Sequence, residues 1–330
     1  MASTIKLTEH VKGGGCGCKI APEILHQIVS TLPNGLSKEL LVNQGSKDDA
    51  AVIALNDSEC LISTTDFFLP VVDNPYDFGR IAAANALSDV YAMGGRPILA
   101  LAILGWPVDL LPIEAASEVM KGASDICRQA GVFIAGGHSI STSEPLFGLS
   151  VNGLVNKEHL KENHTCQPGN YLYITKPLGI GLLANAMKHK ELSEDGYQQL
   201  IQHTTQLNTL GAELGKLSWI TAMTDITGFG LLGHLSEMLG KDKGAILYND
   251  KIPVIPEARQ LAEKFKYPNI TTNNYNFVKD RCEGLNGLEF LWLCDPQTSG
   301  GLMFTSTSEM AMDHCICIGR ITDTGIISLQ

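Results

Sequence analysis

Residues 84–89 read Ala84-Asn85-Ala86-Leu87-Ser88-Asp89, inside an alanine-rich run from Phe78 to Met93. The run reads as a helix opened by Asp73-Asn74-Pro75 and ended by Gly94-Gly95 ahead of Pro97. Asn85, Ser88 and Asp89 are spaced i, i+3 and i+4, so they share one face of a helix that should otherwise pack. A buried carboxylate without a partner is costly. Magnesium held by carboxylates and by substrate phosphate oxygens would supply that partner.

Other aspartates stand at the ends of apolar segments around this helix. Lys47-Asp48-Asp49-Ala50-Ala51 precedes a strand candidate, Asp66 ends the strand candidate Leu61 to Thr65, and Thr224-Asp225 ends Trp219 to Met223. Singly, each acid is explained as a cap, a turn or a surface charge. Asp73 can cap the helix opening at Pro75, and Asp77 lies in its first turn. What argues for a shared site is the joint occurrence of Asp49, Asp66, Asp89 and Asp225 with glycine turns at similar strand ends. Gly137-His138-Ser139, after the strand Val132 to Ala135, and Thr227-Gly228-Phe229-Gly230, leading into a helix, could each present backbone N–H groups to a phosphate. No GxxxxGK[ST] occurs, so an ATP site here is not a P-loop. Gly179-Ile180-Gly181-Leu182-Leu183-Ala184 satisfies GxGxxA, but no second strand ending in an acid follows, and close helix–strand packing explains its glycines.

The remaining elements form a mixture. Apolar Ile98 to Leu104 reads as a buried strand, Pro112 starts an amphipathic helix stopped by Gly131, and Leu146 to Leu154 alternates like a sheet strand. A polar segment from Asn156 to Gly169 marks a boundary, after which Tyr171 to Thr175 and Phe290 to Leu293 read as strands and Gly181 to Lys188 and Leu231 to Leu239 as helices. Strands and helices do not alternate strictly, which indicates α/β or α+β architecture in two domains.

Composition narrows the function. Of 330 residues 44% are hydrophobic and 18% charged, enough for a sizeable core. The net charge of −11 makes nucleic acid and acidic lipid poor partners. Apolar stretches fall far below the roughly 20 residues that cross a bilayer, and no secretory h-region opens the chain, so a cytoplasmic protein is expected. Nine cysteines, an odd number, argue against a disulfide framework. Cys16 and Cys18 with Cys315 and Cys317 could bind zinc, although each pair is CxC. Alternatively Cys16, in Gly13-Gly14-Gly15-Cys16-Gly17-Cys18 and near Lys19 and the start of a helix bearing Pro22, Ile24, Leu25 and Ile28, is an accessible thiol of lowered pKa. His234 reads as structural.

Taken in order, Gly15-Cys16-Gly17-Cys18-Lys19, Lys47-Asp48-Asp49-Ala50-Ala51, Ser63 to Phe68, Ala84 to Asp89, Ala135 to Ser139, Lys176-Pro177-Leu178-Gly179, Met223 to Gly230 and Asp295 to Gly301 resemble the selenophosphate synthetase (selenide, water dikinase) family. The aspartate pattern alone marks the wider aminoimidazole ribonucleotide synthetase-like superfamily. The resemblance implies a two-domain α/β fold of the α+β type, with a flexible catalytic loop over 1–20, an ATP-binding domain over 21–156 and a C-terminal α/β domain over 168–330. It implies a homodimer formed through the N-terminal sheet. The implied reaction is ATP + selenide + water → selenophosphate + AMP + phosphate, with magnesium, supplying selenium for selenocysteine and selenouridine. It makes Cys16 and Lys19 catalytic. It makes Lys19, Ser46, Lys47, Asp48, Asp66, Asp89, Gly137, His138 and Ser139 contacts to ATP, and Asp49, Asp89 and Asp225 metal ligands. A related ATP-dependent synthetase or kinase with another acceptor is the alternative. Past Phe304 the chain looks shorter than family members usually are, which leaves its last helix and edge strand open.

Overall fold

A computed structural model describes residues 5–11, 14, 28, 38–43, 48–285 and 287–330. Cys16, Cys18, Lys19, Ser46 and Lys47, with most of the helix expected after Lys19, lie outside the described residues.

Strands β1 (Leu40–Val42), β2 (Ala51–Ala54), β3 (Glu59–Phe68), β4 (Arg96–Trp106), β5 (Ile134–Ser141) and β6 (Leu146–Asn156) form one sheet in the order β1-β2-β3-β6-β4-β5. Among the described residues of this sheet, only β4 and β5 pair in parallel. Helices α1 (Pro75–Ala92) and α2 (Ile113–Gln129) accompany it. Asn74, not Asp73, caps α1 by accepting from the Asp77 N–H at 3.1 Å, while Asp73 accepts from the Thr8 N–H and hydroxyl. The middle and end of α1 are buried on every side, as its small residues allow. Gly79 and Gly122 let α1 and α2 touch by backbone: a Cβ at Gly79 would lie 1.9 Å from the Val119 carbonyl oxygen, and one at Gly122 2.0 Å from that of Tyr76.

The second sheet comprises β7 (Tyr171–Ile174), β8 (Ile220–Asp225), β9 (Gly244–Leu247), β10 (Cys282–Glu283), β11 (Leu302–Ser306), β12 (Ile316–Thr322) and β13 (Ile327–Leu329), ordered β10-β13-β9-β12-β7-β11-β8. With it run α3 (Ile180–Lys188), α4 (Glu194–Thr205), α5 (Leu210–Gly215), α6 (Gly230–Leu239), α7 (Pro256–Glu263), α8 (Ile270–Val278) and α9 (Phe290–Leu293). The segment past Phe304 thus supplies β12, which sits between β7 and β9 inside the sheet, and β13.

Three local readings change. Phe290–Leu293 is one helical turn, not a strand; four apolar residues have no distinguishing period, and here Phe290 meets Tyr275 and Trp292 lies under Arg259. Gly137-His138-Ser139 lie within edge strand β5, paired with Ala102, Ile103 and Leu104, not in a turn after it. Ile98 to Leu104 is a strand but only half covered: Ile98, Leu99 and Leu101 are exposed, as are Ile53, Phe67 and Ile140 on neighbouring strands.

Because the α1–α2 crossing has no room for a side chain, Gly79→Val should cost about 2 kcal/mol or more. Urea unfolding measures it, and a variant as stable as the parent would contradict the backbone contact.

Candidate active site

Strand β3 and helix α1 lie against each other so that alternate residues of the strand meet successive turns of the helix. Thr64 donates to Asp89 Oδ2 at 2.5 Å, and the Asn85 amide donates to Asp66 Oδ2 at 2.6 Å. The third polar residue of that helix face, Ser88, donates to Asp225 Oδ2 at 2.5 Å, across to the end of β8 in the second sheet. Thr224 reaches back and donates to Asp49 Oδ1 at 2.8 Å. The spacing of Asn85, Ser88 and Asp89 therefore serves three different carboxylates, one of them its own.

Asp49, Asp89 and Asp225 come together at the junction of the two sheets. Burial holds the Asp49 carboxyl well above the usual carboxylate range, the charges of Asp225 and Asp89 raise it further, and the Thr224 bond offsets part of this. Asp49 Oδ2 is buried and accepts no hydrogen bond. An orphaned carboxylate oxygen flanked by two further buried carboxylates is a hard-oxygen donor set that fits magnesium.

Asp48 turns elsewhere. Its Oδ1 accepts from the Asn163 N–H at 2.6 Å, and its Oδ2 faces His164 at 3.8 Å, with Glu162 on the other side of that ring. Gly137, His138 and Ser139 are not brought to the carboxylates of their own chain: β6 and β4 separate their strand from β3, a distance of about 14 Å. Thr227-Gly228-Phe229-Gly230 is a packed internal turn. The Thr227 carbonyl accepts from Gly230 and Gln297, and the Gly228 carbonyl from Asn274. The α3 N-terminus is equally occupied: Gln297 Oε1 accepts from the Gly179 and Ile180 N–H groups, and Asp295 from Gly181. A Cβ at Gly179 would lie 2.4 Å from Ala258 Cβ, so these glycines serve packing. His234 bonds Thr227 and lies against Phe229, a structural role.

The segment leading to Cys16 is strapped to both halves. Leu7 N–H donates to the Asp73 carbonyl, Lys188 to the Val11 carbonyl at 3.2 Å, and Glu9 pairs with Lys190. Gly14 abuts the Pro70 carbonyl and lines a cleft of 570 Å³ together with Asn185, Lys188, Lys266 and Thr298. Asp49, Asp66, Asp89 and Asp225 do not line this cleft.

Four partners had no role assigned from sequence: Asn208, and, within the motifs quoted above, Thr64, Ser299 and the buried Lys176. Asn208 donates to Ser88 at 2.8 Å and to the Gly300 carbonyl at 2.9 Å. Lys176 donates to the carbonyls of Gln206 and Ser299, and burial pulls its pKa down to about 7. The Ser299 backbone is left-handed, at φ 51°. Both Lys176 and Ser299 lie in motifs that carry the resemblance, but no local spacing showed that one would hold the other.

Fold and site define a class. Residues 47–155 match the family profile "AIR synthase related protein, N-terminal domain", and residues 167–318 match its C-terminal domain. The thiamine monophosphate kinase of Aquifex aeolicus superposes with a TM-score of 0.68 over 93% of this chain and 95% of that one, at 18% identity, a likeness of fold. A structure from Thermus thermophilus gives 0.70 at 19% identity, over 93% of this chain and 96% of that one. Selenide, water dikinase of Shewanella sp. (strain MR-4) is 48% identical over 97% of this chain and 94% of its own length. The chain belongs to the selenide, water dikinase family, within the AIR synthase related proteins.

The Lys176 proton gives a stability signature. Between about pH 7 and pH 10 the unfolded chain holds this proton and the folded chain does not, so the site makes stability rise with pH across that window. Urea midpoints of the parent should therefore climb relative to those of Lys176→Met as pH increases; parallel curves would show an ordinary lysine.

Proposed function

We propose that the protein makes selenophosphate from ATP and selenide, releasing AMP and phosphate. The observation that carries this reading is the convergence of Asp49, Asp89 and Asp225 at the sheet junction. Nearly full-length similarity to selenide, water dikinases supports the acceptor.

In this reading Asp49, Asp89 and Asp225 would hold magnesium, which would supply neutralisation of the triphosphate charge. The chain's own residues do the positioning: Thr64 and Thr224 orient Asp89 and Asp49, and Asn85 orients Asp66 toward the nucleotide. Asp48, turned toward Asn163, would contact ATP through its backbone. Ser46 and Lys47 precede it in sequence and are assigned to the nucleotide with it. Selenide is a small anion without a shape to recognise, so Lys19 serves to cancel repulsion at the transferring phosphoryl group and Cys16 to act on the selenide nucleophile, with no change in the oxidation state of selenium. The strap from Leu7 to Val11, which precedes both in sequence, is bonded to both halves of the molecule.

A second copy covers the open face of the first sheet. The exposed Phe67, Leu99, Leu101 and Ile140 form an apolar surface there. Since Gly137, His138 and Ser139 are exposed on the far edge from Asp66, their contact with ATP requires a homodimer that brings this edge to the carboxylates of the other copy. Among the described residues no helix is long and apolar enough to cross a membrane.

Incubation with ATP, magnesium and selenide should yield AMP and a phosphorus signal coupled to selenium; ADP formation indifferent to selenide would overturn the reading. Asp89→Asn should abolish magnesium-dependent ATP binding with an unchanged circular dichroism spectrum, and retained binding would remove Asp89 from the metal site. Cys16→Ser should lose selenide-dependent AMP formation while Cys18→Ser keeps it; equal losses would point to a structural pair of thiols.

A further inference from the structure

Lys176 is buried, and the charge of Asp225 acts on it, but among the described residues its hydrogen bonds go to backbone carbonyls and not to that carboxylate. An ammonium group removed from water at such a place is expensive, and an apolar side chain would fill the space more cheaply. What the lysine does there is hold a turn. Its Nζ donates to the Ser299 carbonyl at 2.9 Å and to the Gln206 carbonyl at 2.7 Å.

The turn at Ser299 and Gly300 is strained and closely fitted. Ser299 adopts φ 51°, a conformation that costs a non-glycine residue of order 1 kcal/mol. A Cβ at Gly300 would lie 2.1 Å from the Ile226 carbonyl oxygen. From this turn two chains of hydrogen bonds enter the first half of the molecule. In one, Ser299 N–H donates to Asn85 Oδ1 at 2.7 Å and Asn85 Nδ2 donates to Asp66 Oδ2 at 2.6 Å. In the other, the Gly300 carbonyl accepts from Asn208, which also donates to Ser88, whose hydroxyl donates to Asp225.

The first chain fixes something Asn85 cannot fix alone. A side-chain amide can turn end for end, and the reversed form would aim its oxygen at the Asp66 carboxylate. The Ser299 N–H forbids that reversal, because it requires the oxygen on its own side. That N–H points at Asn85 only while the left-handed turn persists, and Lys176 holds the carbonyl of the same residue.

We propose that Lys176 is a positioning residue for the nucleotide: through the Ser299 backbone, whose carbonyl it holds and whose N–H meets the Asn85 amide, it sets the direction of the Asp66 carboxylate, although it belongs to the other half of the chain. The proposal rests on the reading of Asp66 as an ATP contact.

The test is a double-mutant cycle on the full-length protein, read by calorimetric binding of ATP with magnesium and by KM for ATP and for selenide. Lys176→Met should weaken ATP binding about tenfold, as expected for losing control of a hydrogen bond to a charged group. KM for selenide should stay unchanged and Lys176→Arg should restore part of the affinity. Asn85→Ala should weaken binding similarly, and the double variant should be no worse than the worse single one, because both act through one chain. Additive losses, or equal damage to both KM values, would overturn the proposal. If Lys176→Met does not fold, Lys176→Arg with Asn85→Ala completes the cycle, and additivity there overturns it equally. Asp66→Asn separates the two levels. If it leaves ATP binding intact, the nucleotide assignment of Asp66 is wrong; if it weakens binding and the Lys176 variants do not, only the relay is wrong.

Discussion

Mutual repulsion among Asp49, Asp89 and Asp225 is the constraint from which the rest of the architecture can be understood. The Asp49 carboxyl sits within the protein and is driven toward its neutral form by burial and by its two neighbours. A fold seeking only stability would separate such groups or replace them. Here the surroundings do the reverse, because each of the three is held by a hydroxyl donor from another segment: Thr224 for Asp49, Thr64 for Asp89, Ser88 for Asp225. Charge is concentrated at one place and directed there, an arrangement suited to divalent ions and a polyphosphate.

Helix α1 makes this possible. Its alanines and Gly79 let it sink between α2, the first sheet and the second half of the chain, and so a single helix face can present Asn85, Ser88 and Asp89 to partners on different elements. Close approach continues where its end meets the second half, for a Cβ at Gly211 would lie 2.2 Å from the Tyr91 carbonyl oxygen. Several of the hydrogen bonds that cross the junction are buried, among them Ser88 to Asp225 and Ser299 to Asn85, and they tie the two sheets together at the site.

Much of this could be read before folding was considered. The three polar residues of 84–89 lie on one helix face because of their spacing, and the glycines at 179 and 181 serve packing because no acidic strand end follows them. Misreadings fell where the local pattern is short. Phe290-Leu291-Trp292-Leu293 has no period to separate helix from strand, and its ring contacts with Tyr275 and Arg259 come from distant segments. Gly137-His138-Ser139 looks like a turn by composition, yet pairing with β4 draws it into the sheet.

By itself the sequence determined which residues could carry charge at the ends of secondary structure, and that Asn85, Ser88 and Asp89 share a face; these follow from local geometry, about 3.6 residues to a turn. Only the tertiary structure decided that Asp49 and Asp225 meet Asp89, that Asp48 turns instead toward Asn163, and that Lys176 bears on Asp66 through a serine in a left-handed turn. Those outcomes depend on which segments pack together, and no local spacing encodes the separation in space of groups far apart along the chain.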